Sequence, residues 1–272
     1  MPKFDMGAAW DDTMVLLRSH SALTGAIAAV FLFLPTLAVS WFGPMPIEPA
    51  EGATFDQIMA AFRANAEQAV PYQLLIALVS AVGGVGILRL WLARTGTSVG
   101  DAIVFALKMV PTMIAIQIIM GVAIGLVGVA LLMPGIAAGA SAIGVLLVGI
   151  GLLLFLGLCA YLWGRVSVTS PAVADQTLYN PLAALQESWR LTRDNGWRIF
   201  LFSFLVFIVI MIFSMVLALI AYAAVGNGEG IGRIVSGLIE AGVAVVSGLV
   251  MLALSAAVYR QLAVRGVGDT FS

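Results

Sequence analysis

The sequence predicts an all-α, polytopic membrane protein of six transmembrane helices, and three observations carry that expectation. First, 62% of its residues are hydrophobic and only 10% charged, where a soluble domain carries roughly 25% charged residues; the mean hydropathy is +1.09. Second, six stretches are apolar over the ~20 residues that a ~30 Å hydrocarbon core demands. Third, lysine and arginine divide unequally between the loops on the two sides. The chain reads as a single membrane domain, 1–272. The soluble-enzyme, nucleic-acid-binding and disordered classes are excluded together.

Taken in order, residues 5–18 place Met6, Trp10, Thr13 and Leu17 on one helical face, with Asp11, Asp12 and Arg18 elsewhere. That pattern fits an interfacial helix with its Trp at headgroup depth. The first span covers 20–42. The acids Asp5, Asp11 and Asp12 outweigh Lys3 and Arg18 before it, so it lacks the basic start of a cleaved signal peptide. A loop over 43–70 follows, with Pro44, Pro46 and Pro49, then a short helix expected at 54–69.

The second span covers 71–93. Residues 100–110 set Ala102, Ile103, Ala106 and Leu107 on one face and Lys108 off it, a second interfacial segment. The third span, 111–133, carries an isolated Gln117, expected to hydrogen-bond a neighbouring helix. The charge-free Pro134–Ser141 makes a tight turn into the fourth span, 142–163. The third amphipathic segment, 181–195, has Leu182, Leu185, Trp189 and Thr192 as its stripe. Pro181 suits its first turn and Asn195-Gly196 its stop. The fifth and sixth spans cover 199–225 and 234–259. Each amphipathic segment is alternatively the end of a long, tilted span.

The three segments align. Ala9-Trp10, Ala102-Ile103 and Ala184-Leu185 correspond, followed by Thr13-Met14, Ala106-Leu107 and Ser188-Trp189. Each precedes a two-helix hairpin, so the chain reads as three parallel repeats over 1–94, 95–163 and 164–272, which implies an axis along the membrane normal.

Orientation follows from charge. Lys3, Arg18, Arg89, Arg94, Lys108, Arg165, Arg190, Arg193, Arg198, Arg260 and Arg265 fall on one side, and only Arg63 and Arg233 on the other. Both termini and the amphipathic helices are therefore expected in the cytoplasm. Arg89 and Lys108 are expected to snorkel from helix ends.

The net charge of −1 implies no nucleic-acid partner. His20 and Cys159, each the only residue of its kind, cannot assemble a zinc, haem or disulfide site. No metal, cofactor or catalytic residue is expected. Gly121-x3-Gly125 and Gly135-x3-Gly139 read as close helix packing. Glu240, the most inward charge, follows Arg233 by seven residues and so pairs with it or reaches interfacial water; on the alternative reading it is a transport residue, with Gln117 beside the route.

The most distinctive stretch is Tyr161–Phe200, YLWGRVSVTSPAVADQTLYNPLAALQESWRLTRDNGWRIF. An Arg ends a span, a Pro and Asp175 follow, and a helix opens at Pro181. Ser-Trp-Arg-Leu-Thr-Arg and Asn-Gly-Trp-Arg then lead into the next span. This resembles the glycerophosphoryl diester phosphodiesterase membrane-domain family and related six-span inner-membrane proteins of bacteria, and Phe4–Trp41 is similar to that family's opening segment. The family takes its name from a fused phosphodiesterase barrel whose metal site needs several histidines, so with His20 alone no catalytic set carries over. The resemblance implies a non-enzymatic membrane module of the bacterial inner (plasma) membrane.

The leading expectation is thus a non-catalytic scaffold that organises lipid or binds partners at the cytoplasmic face. Its contact residues would be Trp10, Trp189, Arg190, Arg193, Trp197 and Arg198. Expected partners are membrane lipids, anionic ones included, and a membrane protein or second copy of the chain. The alternative is a transporter or channel for a small or lipid-like solute, using Glu240 and Gln117.

Overall fold

The structure, a computed structural model, describes residues 4–268 except 20, 46, 51, 94–95, 140 and 227–229. His20, Lys3 and Arg94 lie outside the described residues, as does the side chain of Arg265. The described residues contain helices and connecting turns and no strand. Six helical stretches are long and apolar enough to cross a membrane, which makes this a multi-pass integral membrane protein.

The elements are α1 (Met6–Arg18), α2 (Ser21–Ala28), a π-helical turn (Ala29–Phe33), α3 (Leu34–Phe42), α4 (Phe55–Leu92), α5 (Val99–Ala137), α6 (Ala142–Val166), α7 (Thr169–Gln176), α8 (Pro181–Leu191), α9 (Gly196–Val225) and α10 (Ile231–Gly268). Most starts are capped by a side chain: Asp5 for α1, Thr54 with Gln57 for α4, Ser98 for α5, Ser141 for α6 and Asn180 for α8. The π turn sits just before Pro35, which has no N–H to offer the carbonyl of Phe31 four residues earlier. The Ser80 hydroxyl of α4 donates to that carbonyl at 3.4 Å.

Two expected separations are absent. The helix at 54–69 is continuous with the second span through Pro71, in a helix of 38 residues. The segment 100–110 is likewise the opening of α5, which runs unbroken through Pro111 for 39 residues. A proline removes one hydrogen bond, but leaving the helix inside hydrocarbon would strand several backbone groups at once. At ~1.5 Å per residue each helix is nearly twice as long as the ~30 Å core is thick.

Helices adjacent in sequence pair, α2–α3 with α4, α5 with α6 and α9 with α10. Contacts of α4 with α5, α6 with α9 and α10 with α3 close the six spans into a ring. Across one end lie α7 and α8, which touch α4, α5 and α10, while α8 also reaches α6. The small residues of α7 let it sit deep: Ala172, Val173 and Ala174 are fully buried, and each enters a different one of three hydrophobic clusters. Arg89 fixes this plug by donating to the carbonyls of Ala174 (2.8 Å) and Asp175 (3.5 Å). It caps α7 rather than snorkelling.

Packing is concentrated at that end. Only 11% of the apolar window of α5, α6 and α9 is buried within the protein, against 50% for α4. Away from α7, α6 buries only Gly144 and Gly151, where Cβ atoms would run into the backbone of the α5 side. Gly135 makes a third such approach, against Val148. Gly121, Gly125 and Gly139 instead have nothing within 4 Å of a Cβ position, so the expected packing at Gly121-x3-Gly125 is absent.

Candidate functional site at the basic end

The end plugged by α7 and α8 gathers Arg18, Arg89, Lys108, Arg165, Arg190, Arg193, Arg198 and Arg260, while Arg63 and Arg233 lie at the other. Its architecture rests on small residues. Ala9, Thr13, Ala102, Ala106, Ala184 and Ser188 are each 1% exposed or less. The face of α1 buried within the protein is therefore Ala9, Thr13 and Leu16, while Met6 and Trp10 of the expected apolar face are exposed. A small side chain lets a helix approach closely enough to bond, whereas a large ring holds it off.

Each small-residue face meets the end of a span from another hairpin. α1 lies on α10. Ala102 and Ala106 face Gly86 of α4. From the α8 segment, Ser188 donates its hydroxyl to the carbonyl of Arg165 at 2.8 Å, and the Thr192 hydroxyl lies 3.1 Å from that carbonyl and 2.8 Å from the carbonyl of Ser188. An arginine completes each contact: Arg260 pairs with Asp12 at 3.0 Å, Arg89 lies 4.5 Å over Phe105 and Arg165 4.3 Å over Trp189.

The expected lipid-facing residues divide. Trp189 and Trp197 are about half exposed, and Trp197 stacks on Phe200 with ring centroids 5.3 Å apart. Arg193 and Arg198 are exposed and have no ion-pair partner among the described residues. Arg190, by contrast, grips Glu187 with two hydrogen bonds of 2.9 and 2.6 Å. Those bonds hold the Glu187 carboxyl below its ordinary range and push the guanidinium up. Arg190 is therefore a neutralised structural cation.

Glu187 also accepts from Gln176, which donates to Tyr259 as well, and Tyr259 donates to Asp175 at 2.7 Å. This network ties α7, α8 and α10 together. Sequence reasoning missed it, because Asp175 stood in the distinctive stretch without an assigned partner and Tyr259, 84 residues away, meets it only in the fold.

Arg165 was legible only as a span-ending cation, yet it is 4% exposed. Gly164 and Gly196 let the end of α6 rest on the start of α9: a Cβ on Gly164 would strike the Gly196 carbonyl, and one on Gly196 would lie 2.7 Å from Arg165 Cδ. The glycine on either side of this contact was the available signal.

The transport candidates are not brought together. Glu240 is exposed on α10 and lines a groove of about 340 Å³ with Ser214, Tyr222 and Ser236. An apolar groove of about 420 Å³ adjoins it between α9 and α10, sharing Ser214, Ile239 and Val243. Arg233 does not pair with Glu240; it donates to the carbonyls of Ser40 (3.0 Å) and Gly43 (2.7 Å), closing the end of α3. Gln117 is exposed on α5, opposite α10 in the ring, and makes no hydrogen bond among the described residues. No known protein family, curated protein or solved structure matches the chain.

Proposed function

We propose that this is a non-catalytic membrane protein of the bacterial inner membrane that organises anionic lipid at its cytoplasmic face. The basic end and both termini would face the cytoplasm, as the positive-inside rule expects. The observation that carries this reading is the pair Arg193 and Arg198, exposed and unpaired among the described residues, on either side of the exposed Trp197. An aromatic ring at headgroup depth and two free cations suit an anionic leaflet, which contributes on the order of 1 kcal/mol per basic side chain held near it. The membrane module resembled by Tyr161–Phe200 fits this role. The buried small residues of α1, α5 and α8, and the ring of alternating contacts, support a reading as three repeats over 1–94, 95–163 and 164–272.

Native mass spectrometry of the wild type against Arg193→Gln/Arg198→Gln tests the proposal. An impermeant thiol reagent controls topology, with Cys159 replaced: Ala50→Cys should label in intact cells and Tyr179→Cys should not. Reduced retention of phosphatidylglycerol by the double variant, with phosphatidylcholine unchanged, is the expected result. Equal retention would reduce these arginines to topology signals.

One observation favours the second reading, transport: the Glu240 carboxylate opens into a groove inside a membrane span. Uptake by reconstituted vesicles that is lost in a folded Glu240→Gln variant would establish it.

A further inference from the structure

Arg165 is a buried cation with no carboxylate in ion-pair reach among the described residues, and its Nε has no hydrogen-bond acceptor. Among the described residues its charge is met by ring faces, Trp189 at 4.3 Å and Tyr161 at 5.9 Å. Of the acids close to it in the sequence, Glu187 is taken by Arg190 and Gln176, and Asp194 is exposed without an ion pair among the described residues. Leaving a guanidinium buried in this way is costly unless something of opposite charge joins it.

Its position sharpens the problem. The Arg165 side chain lies across Gly196, with Nε 4.0 Å from where a Cβ of that residue would be. Gly196 opens α9, a helix of 30 residues, so the guanidinium sits at the positive end of a long helix dipole. Asn195 makes no side-chain cap to that helix; its Oδ1 accepts from the Phe4 N–H instead, at 2.9 Å. Two sources of positive potential therefore converge, and no acidic side chain of the described protein is committed to either.

We infer that Arg165 and the first turn of α9 form a binding site for a phosphate-bearing anion, between the end of α6 and the start of α9. A tetrahedral phosphate offers enough oxygens to accept from the guanidinium and from first-turn N–H groups at once. The exposed Trp189 and Trp197 place the site at headgroup depth. The inference rests on the lipid-binding reading for its preferred source, a lipid phosphodiester, and free phosphate carries the same chemistry.

The test is thermal unfolding of the delipidated full chain in a neutral detergent at constant ionic strength. Wild type, Arg165→Met and Arg165→Lys are titrated separately with dioctanoyl phosphatidylglycerol and with sodium phosphate. The wild type should gain stability saturably. Arg165→Met should melt no lower than the wild type without ligand, because an uncompensated charge is removed, and should not respond to either probe. Arg165→Lys keeps the charge without the planar fork, so its midpoint should weaken roughly tenfold. A response to phosphatidylglycerol alone identifies the lipid as the source, and a response to both probes admits free phosphate.

A wild type indifferent to both probes overturns the site. So does an Arg165→Met variant that melts lower yet binds with an unchanged midpoint, the behaviour of a purely structural cation–π contact. If Arg165→Met does not fold, an Arg165→Lys midpoint equal to wild type has the same force. The Arg193→Gln/Arg198→Gln variant separates the two readings, and it should keep the saturable response here. Loss of that response there, with retention in Arg165→Met, leaves the lipid-binding face standing and removes Arg165 from it.

Discussion

α5 passes through both regions of the molecule, and its two halves behave oppositely. Near its start Ala102, Ala106 and Met109 are fully buried, while farther along Ile118, Val122, Leu126 and Val129 are all more than half exposed. Both halves are apolar, so hydrophobicity does not decide which one packs. In lipid, a Leu side chain gains little by leaving its surroundings for another helix. What holds helices together is close backbone approach and interhelical hydrogen bonds, and the end plugged by α7 has both. There the buried polar groups include Thr13, Thr112, Arg165, Thr169, Ser188, Thr192 and Asn195, and the contacts run through Gly86, Gly164 and Gly196. The opposite half keeps the glycine contacts between α5 and α6 and, between α3 and α10, the hydrogen bonds of Trp41 and Arg233 and the approach of Gly237 to Trp41.

If this contrast is right, glycines of the two regions should differ most. Gly164→Ala forces a Cβ onto the Gly196 carbonyl and should cost on the order of 2 kcal/mol or more in denaturant unfolding. Gly125→Ala, with open space around it, should be neutral or stabilising by up to ~1 kcal/mol through helix propensity. Comparable losses at the two sites would mean that the helices approach equally closely in both regions.

Hydroxyl removal is the next most sensitive probe. The Ser188 hydroxyl donates to the carbonyl of Arg165, and the single hydrogen of the Thr192 hydroxyl has both that carbonyl and the carbonyl of Ser188 in reach. Each single alanine variant should cost about 1 kcal/mol. The double should cost less than the sum if the carbonyl can be satisfied by one donor, which a double-mutant cycle measures.

The Glu187–Arg190 pair supplies a smaller, pH-dependent contribution. Arg190 holds the Glu187 carboxyl below its ordinary range. Its stabilisation is therefore complete above the unfolded carboxylate pKa and is lost as pH falls through the lower, folded value. Arg190 is largely exposed, so the effect should be under ~1 kcal/mol. Unfolding curves of wild type and Glu187→Gln should converge in acid and separate toward neutrality; parallel curves would remove the pair from the account of this end.

The smallest effect belongs to the loosely packed half. Glu240→Gln should change stability by less than ~0.5 kcal/mol, since Glu240 is exposed and makes no ion pair among the described residues. A large loss would mean that the α9–α10 groove is more tightly organised than its exposure implies.

Several features were legible from the residues alone. Six spans were marked by runs of apolar residues, because the bilayer thickness sets a length that composition displays directly. The alignment of Ala9, Ala102 and Ala184, with Thr13, Ala106 and Ser188, marked positions that turned out fully buried, because close helix approach admits only small side chains. Gly121-x3-Gly125 carried the same spacing and packs against nothing, since a small residue permits contact without supplying a partner.

Tertiary structure decided the rest. The Glu187–Arg190 pair is local to α8, but its link to α7 and α10 through Gln176 and Tyr259 depends on how those helices meet. The burial of Arg165 depends on α6 meeting α9, and the Asp175–Tyr259 bond spans 84 residues. Hydropathy and charge along a chain determine which segments enter the membrane. They carry no information on which helix ends meet, and at this end of the molecule those meetings determine which charges are paired, which are buried and which remain available to a ligand.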